Sequence, residues 1–387
     1  MNAMEELRKK AADRAFDLSR EKENGSKIVE YIGNFVPEEL IHASGAKAYL
    51  NCRGGEPEPP DAVLDDMLRY TNPLARSQVG FYKLGLDPVT PMADVVAVSH
   101  YECHQARMAE YMELHGIPVF KLGVPDDWTR DFSQEFYYEE LVRFKERLEE
   151  ITGAEITNEK LSESIGLYNR IYALLSKISA LRKTNDSPIG GLDFIKLNHN
   201  VFMNDPEYAV VKLEEIYEEL QDAPAKFPKN APRILVIGHA VAIGDYIVES
   251  RVEELGAMIA DEFLEEGIYW YQWPVSETES DPLRALQKQR YLEKPPIDNF
   301  EPAWKDRIQY YEKLIRDNSI DGVIWYQLLY DEIWDLEYSC VAKRMEEIGI
   351  PMIRIETSYE YTREAMLPLN TRLESYISLL KSKKGGK

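Results

Sequence analysis

The chain has 387 residues, is 44% hydrophobic and carries a formal net charge of −22 at pH 7. That length allows two or three domains. The charge argues against a nucleic-acid or anionic-membrane partner over most of the surface, while leaving room for an anionic small ligand in a local basic pocket. No stretch approaches the roughly 20 apolar residues of a membrane span, and the first ten residues hold no apolar signal core. An odd, low cysteine count fits a reducing compartment and not a disulfide framework. A cytoplasmic protein is therefore expected.

The first part alternates short apolar runs with helix-like segments. Lys27 to Ile32 reads as a strand. Pro37 to Ser44 reads as a helix, with proline at its first position, acids in its first turn and Gly45 as its stop. Lys47 to Leu50 is a strand, Asp61 to Tyr70 a helix and Asp94 to Val98 a strand. A helix from Cys103 to Leu114 follows, then a strand from Val119 to Leu122. Strands alternating with helices of this length predict βαβ units and a parallel sheet.

The middle changes character. Glu135 to Glu150 is rich in Glu, Arg, Phe and Leu. A long helix capped at Asn158 runs to about Lys183, with Leu161, Ile165, Tyr168, Tyr172 and Leu175 on one stripe. Another begins at Asp205-Pro206 and ends near Leu220, and Lys226 to Pro232 reads as a linker. Alternation then returns. Arg233 to Ile237 is a buried strand entering the loop Gly238 to Gly244. A helix follows from Asp245, then a short strand from Ala257 to Ala260. Trp304 to Arg316 is a helix. Gly322 to Tyr326 and Met352 to Ile355 are strands, separated by a helix ending at Ile348, and Thr371 to Lys381 is a terminal helix. The expectation is an α/β protein. Two parallel-sheet domains, residues 1–135 and 233–387, flank a helical segment at 136–232.

Several groups in this pattern can carry chemistry. Cys52, Cys103 and Cys340 all fall near the carboxyl ends of probable strands, the edge where open α/β sheets bind ligands. Three thiolates are also the number that holds a 4Fe–4S cluster with one iron left open. The plainer alternative is that free cysteines are buried as small hydrophobes, and no CxxC pair is present. Ser99-His100-Tyr101-Glu102-Cys103-His104 packs potential ligands and acid–base groups, His100 and Glu102 among them, into one strand-to-helix turn. Cys103 would sit at a helix N-terminus, where the dipole favours thiolate. A merely capped helix start is the alternative.

The loop Gly238 to Gly244 could cradle a phosphate on backbone N–H groups. It matches neither the dinucleotide fingerprint nor the P-loop, so a simple tight turn is equally consistent. His239 within it is a proton donor or a plain loop residue. Arg53 follows the second strand beside Gly54 and Gly55, whose missing side chains allow close approach to a ligand. Arg76, in Leu74-Ala75-Arg76-Ser77, offers a cation for phosphate or carboxylate, or is a solvated charge. Asp331, in Tyr330-Asp331-Glu332, is an acid–base group, a metal ligand or a helix cap.

Taken in order, the motifs resemble those of a known family. Val36 to Ala46 resembles the opening of the 2-hydroxyacyl-CoA dehydratases, whose superfamily includes the B-type and C-type polypeptides of benzoyl-CoA reductase. The resemblance continues through Leu74 to Ser77, Asp94 to Cys103, Ser187-Pro188, Asp321 to Ile324, Gly349-Ile350-Pro351 and Thr371 to Glu374, nearly the whole chain. It implies two flavodoxin-like domains with a helical part, a homologous second subunit and a CoA-thioester substrate. It further implies an ATP-hydrolysing iron–sulfur activator and a 4Fe–4S cluster on three cysteines. In the dehydratases the delivered electron forms a ketyl radical and water leaves; in the reductases it reduces an aromatic ring.

The sequence departs from that pattern. Cys103 falls on the second of the family's cysteines, but Asn72 and Asp331 stand where the first and third are expected. Cys52 and Cys340 are extra. Two accounts follow. Either Cys52, Cys103 and Cys340, with Asp331, hold a cluster in a shifted arrangement, or the chain is a cluster-less supporting subunit that shapes a partner's CoA channel. A helix beginning near Ile333 would place Cys340 about two turns in, ~10 Å from its start, a poor position for a ligand. A stand-alone phosphate-binding protein using the Gly238 to Gly244 loop is a third possibility.

Overall fold

In the computed structural model, which describes residues 2–184, 186–293 and 301–385, eight strands form two four-stranded parallel sheets. The first holds β1 (Ile28–Ile32), β2 (Lys47–Leu50), β3 (Val95–His100) and β4 (Val119–Gly123), in the order β2-β1-β3-β4. The second holds β5 (Arg233–Ala240), β6 (Met258–Glu266), β7 (Gly322–Leu328) and β8 (Met352–Thr357), in the order β6-β5-β7-β8. The winding is the same in both. Each sheet runs one strand outward from its first strand and then returns to the other side. The direction of winding across the sheet therefore reverses between β1 and β3, and again between β5 and β7. Such a reversal opens a crevice at the carboxyl ends of the strands, because the crossover helices diverge to opposite faces.

Apart from the exposed His100 at the end of β3, the central strands are buried and largely apolar, as strands covered by helices on both faces must be. All eight residues of β5 and all seven of β7 are buried. Between the sheets in sequence run helices Asp131–Thr152, Asn158–Leu181, Gly191–Phe202 and Pro206–Gln221. The Asn158–Leu181 helix starts at a Thr157 cap whose hydroxyl accepts from the Lys160 N–H, and it buries the expected stripe of Leu161, Ile165, Tyr168, Tyr172 and Leu175. One hydrophobic core joins these helices to both sheets. Two N-terminal helices, Ala3–Ala12 and Arg14–Glu23, precede β1. No helix among the described residues is long and apolar enough to cross a membrane.

Three elements differ from the sequence expectation. The Asp61 to Tyr70 helix is instead a short Glu58–Ala62 turn of helix, followed by turns. The long helix begins later, at Pro73–Lys83, because Asn72 caps it and proline suits its first position. β6 continues past Ala260 to Glu266. Asp261 and Glu262 are tolerated there because the buried Arg182 pairs with Glu262, at 3.0 Å from Nη2 to Oε1. β5 continues through Gly238 and His239, so these are strand residues and not a loop. A side chain at Gly238 would stand 2.4 Å from the Tyr326 carbonyl oxygen on β7. Its glycine therefore serves strand packing.

The two sheets are tied together at their carboxyl edges. Cys52 and Gly54 exchange backbone bonds with Ile243, at 2.7 and 3.1 Å, forming a parallel bridge between Arg53 and Ile243. Gly244 holds φ at +108°, and a side chain there would stand 2.7 Å from the Gly54 carbonyl oxygen. It is thus a close-packed joint between domains. Arg290 reaches from the second half to bond Glu39 at 2.8 Å, Glu38, and the Asn34 carbonyl at 2.9 Å. All three charged side chains are almost fully buried.

Candidate functional site

The two reversal points face each other across the domain junction. From the first sheet come Tyr101, Glu102, Cys103, His104 and Gln105, immediately after β3. From the second come His239 near the end of β5, Glu266 at the end of β6, and Tyr330 and Asp331 after β7. Tyr101 crosses the junction. Its hydroxyl donates to Glu266 Oε1 at 2.9 Å and lies 3.3 Å from His239 Nε2. Gln105 donates to the same Glu266 oxygen at 2.5 Å. On its other side His239 places Nδ1 3.1 Å from Asp331 Oδ2.

Local sequence explains each placement. Glu102 caps the Cys103–Leu114 helix, its carboxylate accepting from the N–H groups of His104 (3.3 Å) and Gln105 (2.9 Å). Asn72 caps the Pro73–Lys83 helix by accepting from the Ala75 N–H at 2.9 Å. Asp331 precedes the Glu332–Glu347 helix but makes no side-chain cap bond; its carboxylate faces His239 instead. Tyr330 holds φ at +68°, an uncommon conformation for a bulky residue. That twist lets its carbonyl accept from His104 Nε2 at 2.9 Å. Because the Asn72 N–H points at His104 Nδ1, 3.4 Å away, the proton of His104 belongs on Nε2.

The electrostatics follow from burial. Desolvation disfavours a charged His239, but Asp331, then Glu266 and Glu265, outweigh it and hold its pKa well above the usual value. Glu102 is pushed up to about 8, first by burial and then by Asp331 and Glu266, although His239 opposes this. His104 is lowered by burial, against the pull of Asp331. The site is thus a buried imidazolium held among carboxylates, with one further carboxyl that is protonated near neutrality.

The sequence candidates divide into those the structure gathers here and those it does not. Glu102, His239 and Asp331 converge, while Tyr101, Gln105 and Glu266 join them unforeseen. Ending β6 at Ala260 hid Glu266; the acids at the end of an apolar run, Glu265-Glu266-Gly267, were the available signal. His100 is exposed, and its ring makes no hydrogen bond among the described residues. Arg53 lies over the Phe81 ring at 4.0 Å and pairs with Glu56 at 3.2 Å. Gly238 and Gly244 are packing positions, as described above. Arg76 is buried beside the Asn72 cap, bonding two backbone carbonyls.

The three cysteines stay apart in role. Cys52 is buried against Gly267, and burial together with Glu266 pushes its thiol up. Cys340 is the ninth residue of the Glu332–Glu347 helix, about 12 Å along its axis from the first. Cys103 is exposed at the first residue of its helix. Its thiol is nevertheless raised, by burial, Glu102 and Glu332, so the expected dipole-stabilised thiolate is corrected: the neighbouring acids outweigh the helix end. Among the described residues, the metal-capable atoms that come together are those of Glu102, Cys103 and His104, within 4.8 Å of one another.

The model of a protein family, 2-hydroxyglutaryl-CoA dehydratase, D-component, matches residues 34–380. The chain belongs to this family. Among its relatives is a provisionally named dehydratase subunit of Escherichia coli (strain K12), 26% identical over 93% of each chain. The beta subunit of (R)-2-hydroxyglutaryl-CoA dehydratase from Acidaminococcus fermentans is 25% identical over 91% of this chain and 92% of its own. A benzoyl-CoA reductase subunit of Thauera aromatica is 23% identical over 94% and 93%. The dehydratase family resemblance of the motifs and the paired Rossmann-like sheets thus agree, and membership of a multi-subunit enzyme assembly accords with relatives that are themselves subunits.

The donor set of this family member does not fit a cluster on three cysteines. Of the positions where the resemblance expects them, Asn72 spends its side chain on a helix cap and Asp331 faces His239. Both ring nitrogens of His104 are engaged. Iron–sulfur clusters need thiolates, and among the described residues only Cys103 brings a thiol to this edge from an exposed position, one whose ionisation its neighbours disfavour.

Proposed function

We propose that the chain is the supporting subunit of an ATP-activated enzyme acting on CoA thioesters by low-potential electron transfer, either dehydrating a 2-hydroxyacyl-CoA or reducing an aromatic acyl-CoA. In this reading the iron–sulfur chemistry belongs to a homologous partner subunit supplied by a separate activator, and this chain completes the CoA channel. The observation that carries it is the replacement of two expected thiolates by Asn72 and Asp331, each committed to a structural partner. The His239 dyad supports the same reading. Its Nε2–H faces the Tyr101 oxygen, and the Tyr101 proton is given to Glu266. The imidazolium therefore acts as a fixed charge that locks the two domains, not as a free acid.

The test is anaerobic co-expression with a homologous chain, followed by separation of the subunits and iron and sulfide analysis of each. Iron on the partner and none on this chain is the expected result. Stoichiometric iron on this chain that falls in Cys103→Ser would overturn it and return the cluster to this subunit.

A further inference from the structure

A protein of net charge −22 repels a polyanion such as CoA unless it places cations where the phosphates must lie. One corner of the domain junction does so. Arg76, only 5% exposed, donates Nε to the Thr71 carbonyl and Nη1 to the Pro60 carbonyl, both at 3.0 Å. Neither partner is charged. No carboxylate among the described residues lies within ion-pair distance of this guanidinium, and its Nη2 makes no hydrogen bond to them. Buried charges are ordinarily paired, since removing an ion from water costs several kcal/mol. Burial lowers the Arg76 pKa; Asp61 and then Tyr330 oppose this from beyond ion-pair distance, and Arg69 adds weakly to the lowering. Arg69 is exposed and has no ion pair or hydrogen bond among the described residues. Neither arginine has a carboxylate within ion-pair distance among the described residues.

The position connects them to the site. Arg76 lies in the first turn of the Pro73–Lys83 helix, whose positive end adds to the same field. Asn72, its cap, bonds His104, and His104 bonds Tyr330. Tyr330 in turn packs edge-on against the exposed Tyr70, ring centroids 5.3 Å apart, which walls this corner.

We infer that Arg76 and Arg69 form a phosphate-binding subsite at the surface edge of the domain junction. The naming of CoA as the phosphate source rests on the function proposed above. The guanidinium of Arg76 is pre-oriented by its two carbonyl bonds, leaving Nη2 to meet a phosphate oxygen, and Arg69 closes from solvent.

Calorimetry on the full-length chain tests this with three probes: CoA, dephospho-CoA and inorganic pyrophosphate. The variants are Arg69→Gln, which breaks no bond, and Arg76→Lys, which keeps the charge but loses the planar fork. Loss of a charge-assisted contact predicts affinity about ten-fold weaker in Arg76→Lys and about two- to five-fold weaker in Arg69→Gln, with a shallower salt dependence in both. A loss seen with CoA but not dephospho-CoA places the 3′-phosphate here. A loss seen with all three places the pyrophosphate here. Wild-type binding of pyrophosphate without CoA binding keeps the subsite and removes the CoA reading. CoA binding that neither variant weakens overturns the subsite and leaves that reading standing. Wild-type protein that binds none of the three overturns both.

Discussion

Nδ1 of His239 and Oδ2 of Asp331 lie 3.1 Å apart, one on β5 and the other after β7, across the reversal point of the second sheet. The pair is buried, with side-chain exposures of 5% and 8%. A buried ion pair is not by itself strongly stabilising, but removing one partner strands the other.

Asp331→Asn should therefore release His239 to the effect of burial and bring its pKa down. The sign is fixed by linkage. A histidine whose folded pKa is raised contributes stability fully below its unfolded pKa of about 6.5, and loses it as pH rises through the folded value. The destabilisation of Asp331→Asn relative to wild type should thus be greatest in mildly acidic solution and shrink toward alkaline pH. Urea unfolding across that range and histidine NMR titration check it. A variant equally destabilised at every pH would show that Asp331 acts through packing alone.

Glu102 gives the opposite kind of titration. Its carboxyl is pushed up to about 8 from 4.5, mainly by burial. The unfolded chain releases this proton first, so folding stability is present at low pH and declines as pH rises from about 4.5 to about 8. Glu102→Gln keeps an oxygen to accept from the helix N–H groups but cannot ionise. Its melting temperature should gain on that of wild type across this window. A constant gap between the two would place the Glu102 pKa near its ordinary value.

The alternation of apolar runs and helices made the two sheets legible, because the buried strands Val95 to Val98 and Arg233 to Ile237 are nearly continuous hydrophobic segments. The site was legible only in part. Glu102 and Cys103 stand out as a dense turn after an apolar strand. Asp331 was visible through its position, yet its partner His239 looked like a loop residue because Gly238 beside it suggested a turn. That glycine instead permits close strand packing against Tyr326. Glu266 and Tyr101 could not be paired from sequence at all: 165 residues separate them, and only the facing of the two reversal points brings them together.

Arg290 carries a separate prediction about the domain junction. It lies between Glu38 and Glu39, and all three are nearly sealed from solvent. Arg290→Met fills similar volume but leaves two adjacent buried carboxylates without a cation. Stranding buried charge in this way costs about 3–5 kcal/mol. Chemical denaturation should show a loss of that order, and the loss should shrink when Glu38→Gln and Glu39→Gln are added to Arg290→Met. If the triple variant is no more stable than the single, the junction depends on the geometry of the arginine and not on its charge.

Placing thiols at the two departed positions tests the supporting-subunit reading. Asn72 and Asp331 flank Cys103 through a short relay: the Asn72 N–H faces His104, His104 bonds the Tyr330 carbonyl, and Asp331 follows. The backbone at all three positions is therefore already drawn toward one corner. Asn72→Cys combined with Asp331→Cys should let the chain take up iron and sulfide on anaerobic reconstitution, approaching about four irons per chain with brown charge-transfer absorbance. Wild type should stay colourless under the same treatment. Asp331→Cys also removes the counter-charge of His239, so the double variant is compared with one that carries His239→Gln as well, which separates folding loss from failure to bind. Colour in the double variant that disappears on adding Cys103→Ser would identify Cys103 as the third ligand. Equal iron in wild type and double variant would mean that the existing donors suffice, and the supporting-subunit reading would fall.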